Sequence, residues 1–454
     1  MNIFKDSEMT KIKFVFSILI LTLIFAFLPK CEYAQEPHQR SQNIQSTINT
    51  IQEELEVIRG KKFKHHVKIK KQSLADFGKY LDRMLERQIP QRLVKDYGKI
   101  VKKLGLYRGP EIEDYRTMAK MVMQSQAAAY YDPASETFYL VMPNLPEQML
   151  NSVYAHELYH GFQDQHFNLE AYVLSKVQNK LNDDELIARQ AVVEGEATYM
   201  MTLWTMKSLL GSIPGPNILQ MSINMQTQMD GAKILEMLKG SAIPQIYQGD
   251  MAKAIQTMDK IPPFLLETMI GAYLKGQGFI FEIQKKGWDK VQSLYAQPPV
   301  SSEQILHPEK WLLKEKPFKF EWPSFENNKL FSGWKLLEAN TIGELQWHMI
   351  FAEHQMVKRG KSAAAGWNGD IFAVLENQTN KDLLLLICST WDTVSDAKEF
   401  YLAYQQLLNV KYPNKSEPVK VELNNKDVFI IEGDKENRLN NLLVFMKNIK
   451  KGRF

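Results

Sequence analysis

Residues 154–160 read YAHELYH, and further along the chain residues 192–199 read VVEGEATY. The first stretch sets His156 and His160 four positions apart, with Glu157 directly after the first. Positions four apart share one face of an α-helix, so the two imidazoles can converge on one metal ion while Glu157 projects beside it. An ordinary helix with one solvated face would show the same spacing, so a third ligand decides between the two readings. In the second stretch Glu194 and Glu196 interrupt an otherwise apolar helical pattern. A carboxylate buried on such a face costs several kcal/mol unless it is paired or coordinates a cation, so one of the two needs a partner. Gly195, between them, costs about 1 kcal/mol relative to alanine in mid-helix, and close approach of two helices around a metal accounts for it. Three protein ligands and one open position make a catalytic zinc site.

Working outward, Glu147 to Phe167 carries the first stretch at helical spacing. The acidic run Asn182-Asp183-Asp184-Glu185 announces a second helix that continues to about Leu210 and is broken by GSIPGPN (211–217). Upstream, AAAYYDPASETFYLVMP (127–143) has β-rich runs on either side of Asp132-Pro133-Ala134-Ser135, a hairpin signal. Ile44, Ile48, Ile51, Leu55 and Ile58 describe an amphipathic helix with a narrow apolar seam, read as packing onto its own domain. HVKIKK (66–71) reads as a strand, Ser73 to Leu104 as helices, and Ile218 to about Lys290 as helices whose methionines belong to the core. AQPPVSSEQILHPEKW (296–311) reads as an irregular connection.

Beyond Pro323 the period shortens. WKLLEA, LQWHMIFAE, DIFAVLE, DLLLLICST, VKVEL and DVFIIEG read as short apolar runs, with helices at SDAKEFYLAYQQLL and ENRLNNLLVFMKNI. AAAGWNGDIF (363–372) reads as a turn packed by Trp367. The fold class is therefore α+β: a mostly helical core with a small edge sheet, and a C-terminal α+β domain on a mainly antiparallel sheet. Residues 1–34 form a leader, 35–110 an N-terminal helical and strand region, 111–320 the domain of the two histidines, and 321–454 the C-terminal domain.

HELYH followed by EGEA resembles the gluzincin metallopeptidases, in which two histidines on one helix and a glutamate on the next hold zinc. In their aminopeptidase N-like branch the third ligand opens a Glu-Gly-x-Ala motif. The resemblance therefore assigns the ligand to Glu194 and leaves Glu196 a secondary candidate. GAYLKGQGF (271–279) resembles the Tyr-x-Lys-Gly segment of the same branch, whose tyrosine donates a hydrogen bond to the tetrahedral intermediate; it falls on Tyr273. The hairpin stands where such enzymes keep an edge strand that pairs with an extended substrate. With HGFQDQHF and PPVSSEQILHPEKW, the chain looks like a group of uncharacterised bacterial exported proteins related to these peptidases. The resemblance implies a zincin-like core, one Zn2+ ion, a peptide or protein substrate, and Glu157 as general base. Two features depart from it. No Gly-x-Met-Glu-Asn loop precedes the first helix, so aminopeptidase specificity is not implied. Thr198 stands where the thermolysin-like branch has an aspartate that orients a histidine.

The other histidines, of nine in all, are weaker candidates. His166 lies ten residues after His156, too far along the helix axis to share the ion. His307, with Glu303 close by, lies in a loop that can cover the cleft and is a secondary candidate as an oxyanion donor. His65 and His66 alternate on a strand and carry no role.

A net charge of +4 on 56 basic and 52 acidic residues is nearly balanced, and no basic stripe interleaved with aromatics points to nucleic acid. Lys11 and Lys13 precede an uncharged apolar run from Phe14 to Leu28, then Pro29 and a polar stretch. This reads as a signal peptide and hence export to the periplasm, cell envelope or medium. A lipidated Cys31 and an uncleaved anchor are the other two readings, and either would tether the protein to a membrane. Cys31 and Cys388 are the only cysteines, so an exported chain that loses or modifies Cys31 relies on its core or a metal rather than a disulfide. Two functions follow: an exported zinc peptidase, or a cell-envelope binding protein on an inactive scaffold with a structural zinc.

Overall fold

The computed structural model describes residues 44–453 other than 90, 113, 127–128, 142–146, 175–180, 230–261 and 327. The leader, Cys31 and the helical reading between 230 and 261 lie outside the described residues. In chain order the first part runs α1 (Ile44–Arg59), β1 (Lys68–Lys71), α2 (Leu74–Gln88), α3 (Gln91–Leu104), α4 (Tyr115–Gln126), β2 (Ala129–Asp132) and β3 (Thr137–Leu140). It continues α5 (Glu147–Phe167), α6 (Asp183–Leu210), α7 (Pro216–Thr227), α8 (Pro263–Gln284), α9 (Trp288–Ala296), α10 (Ser302–Leu306) and α11 (Pro308–Leu312). The last two correct the expectation of an irregular connection at 296–311. Ser301 caps α10 by accepting from the Gln304 amide, and Pro308 stands in the first turn of α11, so the prolines and serines punctuate helices rather than prevent them.

Helix α6 starts where the acidic run said it should. The Asn182 side chain accepts from the Glu185 amide while the Glu185 carboxylate accepts from the Asn182 amide, a reciprocal capping box. Gly211, in the left-handed conformation at φ 77°, ends it. Helix α1 lays Ile48, Ile51 and Leu55 into the core formed by α5 and α6, as its apolar seam predicted. β1 is parallel to β3, and β3 is antiparallel to β2, giving a small mixed sheet in the order β1-β3-β2.

The second part carries β4 (Lys319–Glu321), β5 (Trp334–Asn340), α12 (Gly343–Glu353), α13 (Val357–Ala364), β6 (Trp367–Asn377), β7 (Leu383–Trp391), α14 (Val394–Lys411), β8 (Val419–Asn424), β9 (Asp427–Glu432), α15 (Leu439–Lys447) and β10 (Lys450–Gly452). β5-β6-β7-β9-β8 form an antiparallel sheet, and the protein is α+β. Alternation across each strand sends Phe372, Val374, Leu385, Ile387 and Ile430 to one face, against α12 and α14. Ala373, Leu375, Leu384, Leu386 and Ile431 go to the other, against α15. β7 is buried on both faces, which is why LLLLICSTW shows no polar alternation. The N-terminal helices α2 to α4 join the first of these cores.

Two sequence readings are corrected. LQWHMIFAE is helix α12, not a strand: Leu345, Trp347, Met349, Ile350 and Phe351 are all buried, and a helix surrounded on several sides loses the amphipathic period that would distinguish it from a strand. The methionines after Ile218 are not all core. Helix α7 buries Leu219, Ile223 and Gln226, which puts Met221 and Met225 on its opposite, exposed face.

Candidate metal centre

Helix α5 carries His156, Glu157 and His160, and α6 carries Glu194; the two helices pack side by side. The Nε2 atoms of His156 and His160 stand 3.0 Å apart, and each is 3.4 Å from Oε2 of Glu194. Ligands about 2.05 Å from a tetrahedrally bound ion sit about 3.3 Å from one another, so this triangle has the dimensions of three corners of such a site. Two imidazole nitrogens and one carboxylate oxygen are a donor set that suits a first-row divalent ion.

The centre is dry. His156, Glu157 and Glu194 are 0 % exposed and His160 1 %. Burial pushes the His156 imidazole down to about 4 against the pull of Glu194. Burial acts on His160 in the same sense, but Glu194 beside it prevails and raises it to about 9. Burial alone would raise Glu194; the charge on His160 and hydrogen bonds from both imidazoles hold it down to about 2. Without a metal, therefore, one proton sits on His160, facing the carboxylate.

Behind His160 lies a buried polar network. Nδ1 of His160 is 2.8 Å from Oε1 of Gln163, whose amide nitrogen donates to the Val193 carbonyl (2.9 Å) and to Glu196 (3.3 Å). Because both of those partners accept, Oε1 must face the histidine and Nδ1 must donate, which leaves Nε2 as the nitrogen that carries the second proton toward Glu194 and offers a lone pair to an ion once that proton is displaced. Glu196 in turn accepts from Tyr159 (2.7 Å) and Tyr295 (2.6 Å) and pairs with Arg59 of α1 at 3.4 Å. Burial, together with Glu196, pushes both phenols well above their usual range, so they remain donors. The Arg59 guanidinium also lies 4.4 Å from the Trp288 ring. Glu196 is thus an orienting anion one layer behind the triad rather than a member of it.

Gly195 explains itself at this point. A Cβ built on it would lie 2.6 Å from the Cα of Gly276 in α8, and one on Gly276 would lie 3.0 Å from the Cα of Gly195. The same close crossing brings Tyr273, one turn earlier on α8, over the site, its ring 5.8 Å from that of His156 and nearly parallel to it. On the other side, the amide of Tyr131 in edge strand β2 donates to Oε2 of Glu157 at 2.9 Å. The hairpin therefore presents its outer edge to the HELYH helix.

The remaining candidates lie elsewhere. His307 bonds Glu344 at 3.0 Å and pairs with Glu309, not with the triad. His166 bonds the Lys62 carbonyl. Thr198 is buried, and among the described residues neither its hydroxyl nor Nδ1 of His156 has a hydrogen-bond partner. A second group of carboxylates, Glu303, Glu315 and Asp392, already surrounds the ammonium of Lys310, at 2.5, 3.3 and 2.7 Å.

Sequence reading missed Gln163, Arg59 and Tyr295. Gln163 had a usable signal, since it follows His160 by three residues on one helix. Arg59 and Tyr295 had none, being brought in by α1 and α9. Also unforeseen is the hold of the C-terminal part on α6. Asn340 accepts from the Asp183 amide, Lys319 pairs with Glu185 at 2.7 Å, and Asp184 packs against Gly343, where any Cβ would run into its carboxylate.

Comparison with known proteins adds one finding. A family model described as "Domain of unknown function (DUF8575)" matches residues 334–442, from β5 into α15, a stretch that contains none of the triad. No curated protein and no solved structure matches the chain.

Proposed function

We propose that the protein is an exported zinc-dependent metallopeptidase of the gluzincin type, with His156, His160 and Glu194 as the metal ligands. The observation that carries this reading is the triangle of donor atoms at 3.0, 3.4 and 3.4 Å, with Glu157 on the next position of the same helix. When bound, zinc lowers the pKa of a water ligand and polarises a substrate carbonyl. Glu157 takes the proton of the attacking water and returns it to the leaving amine. Tyr273 donates its hydroxyl proton as a hydrogen bond to the oxyanion. The β2 edge aligns an extended peptide by strand addition, and the Tyr131 amide orients the Glu157 carboxylate.

One observation favours a second reading, a binding protein with a structural zinc: all of the triad and Glu157 are sealed from solvent. Metal analysis combined with digestion of a broad peptide library, wild type against Glu157→Gln, separates the two. The peptidase reading expects both proteins to hold one zinc and only the wild type to cleave, by a factor of about 10² to 10⁴. A zinc-loaded Glu157→Gln protein as active as wild type would sink the assigned role, and a zinc-loaded wild type that cleaves nothing supports the structural ion.

A further inference from the structure

The turn between α6 and α7 is unlike the rest of the surface. From Ser208 to Met229 the sequence has no Asp, Glu, Lys or Arg, yet Leu210 is 65 % exposed, Ile218 56 %, Met221 62 % and Met225 45 %, with Leu209 and Ile213 also exposed. Ile218, Met221 and Met225 recur at three and four residues, so they share one face of α7, and α7 buries the other through Leu219 and Ile223. Single exposed apolar residues are ordinary; an uncharged group on one helical hairpin is a contact surface.

What covers it follows from where the chain enters. Arg59 of α1 meets Glu196, while Glu54 meets Trp204 and Lys207, so α1 runs antiparallel to α6. Ile44 precedes Glu54 by ten residues, about 15 Å of helix, whereas α6 ends three residues after Lys207, about 4.5 Å on. The first turn of α1 therefore reaches the level of the α6–α7 turn, and Ile44 and Ile48 share a core cluster with Leu219 and Ile223. The described chain thus begins, at Ile44, at the end that carries the exposed hairpin, and the apolar Phe14–Leu28 run ends sixteen residues before it in the sequence.

We propose that the Phe14–Leu28 run is kept as the uncleaved anchor, one of the three readings of the leader given above, and that the α6–α7 hairpin is a lipid-facing surface that lies in the interface of the same bilayer. No helix among the described residues is long and apolar enough to cross a membrane, so the hairpin lies on the bilayer rather than through it. Lacking cationic side chains, it engages lipid by apolar burial and needs no anionic headgroup. Glu194 stands sixteen residues back along α6, about 24 Å from the hairpin. If the triad is catalytic as proposed, it works within about that distance of the membrane.

The test uses the full chain reconstituted in phosphatidylcholine vesicles doped with a photoactivatable diazirine lipid, with adducts mapped by peptide mass spectrometry. Adducts are expected on both the 14–28 and the 208–229 peptides. The triple variant Ile218→Glu, Met221→Glu, Met225→Glu is expected to lose the second set while keeping the first, with an unchanged melting curve. Adducts on 14–28 alone in the wild type overturn the proposal, whether another stretch of this chain or a second copy covers the hairpin. Because the two peptides are read separately, failure of the leader as anchor and failure of the hairpin surface are distinguishable.

Discussion

Replacing Gly195 with alanine tests the geometry of the site most directly. The added methyl carbon would stand 2.6 Å from the Cα of Gly276, where an ordinary carbon–carbon contact is about 3.5 Å. The obstacle is backbone, with the Gly276 carbonyl carbon and oxygen nearer still than its Cα, so no side chain can rotate aside, and α6 and α8 must separate by more than about 1 Å. Alanine is the better helix former by about 1 kcal/mol. Overpacking of this kind costs about 1–3 kcal/mol and is relieved only by moving one helix. The adjacent Glu194 carboxylate, the third ligand in the proposed site, moves with α6, and metal ligands tolerate displacements of only about 0.2 Å. The expected result is therefore a lower melting temperature together with zinc affinity weakened at least about tenfold. Zinc affinity is measured by competition with a chromophoric chelator, and unfolding by calorimetry on the metal-free protein. Gly276→Ala should behave likewise, since its methyl group would meet the Ala191 carbonyl. A Gly195→Ala protein with unchanged melting and unchanged zinc affinity would refute the reasoning, because the helices would then not be in backbone contact at the site.

Three further outcomes follow from the same structure. Gln163→Leu removes the acceptor that holds Nδ1 of His160, and zinc affinity should fall about 10- to 100-fold in the same chelator competition. A metal bound as proposed must displace the proton that His160 carries below about pH 9, whereas His156 is already neutral above about pH 4. Zinc affinity should therefore rise about tenfold per pH unit from about pH 6 to pH 8, and calorimetry in buffers of different ionisation enthalpy should show one proton released from this pair; a flat profile would contradict the assignment. Lys310→Met leaves Glu303, Glu315 and Asp392 around an uncharged side chain and should destabilise the fold by about 3 kcal/mol, read from chemical denaturation.

Local order in the sequence decided much about this protein. The spacing of His156 and His160 places both on one face of a helix, the acidic run with Asn182 starts α6, and the Asp132–Ser135 turn makes the β2-β3 hairpin, because each depends on neighbours within a few residues. The α+β architecture was legible in the same way, through the change of apolar period beyond Pro323. That period failed at α12, where burial on several sides erased the polar face, and at α7, where methionine serves an exposed face as readily as a core. The resemblance of EGEA favoured Glu194, but only the tertiary structure shows what each of the two carboxylates faces. Glu194 and Glu196 are two residues apart on one helix, about 200° around its axis, so docking α6 on α5 turns the first to the histidines and the second to Arg59, Tyr159 and Tyr295. The sequence shows two acids with a glycine between them; only the crossing of α8 at Gly276 says why that glycine is there, since a contact between backbones leaves no pattern in either segment taken alone.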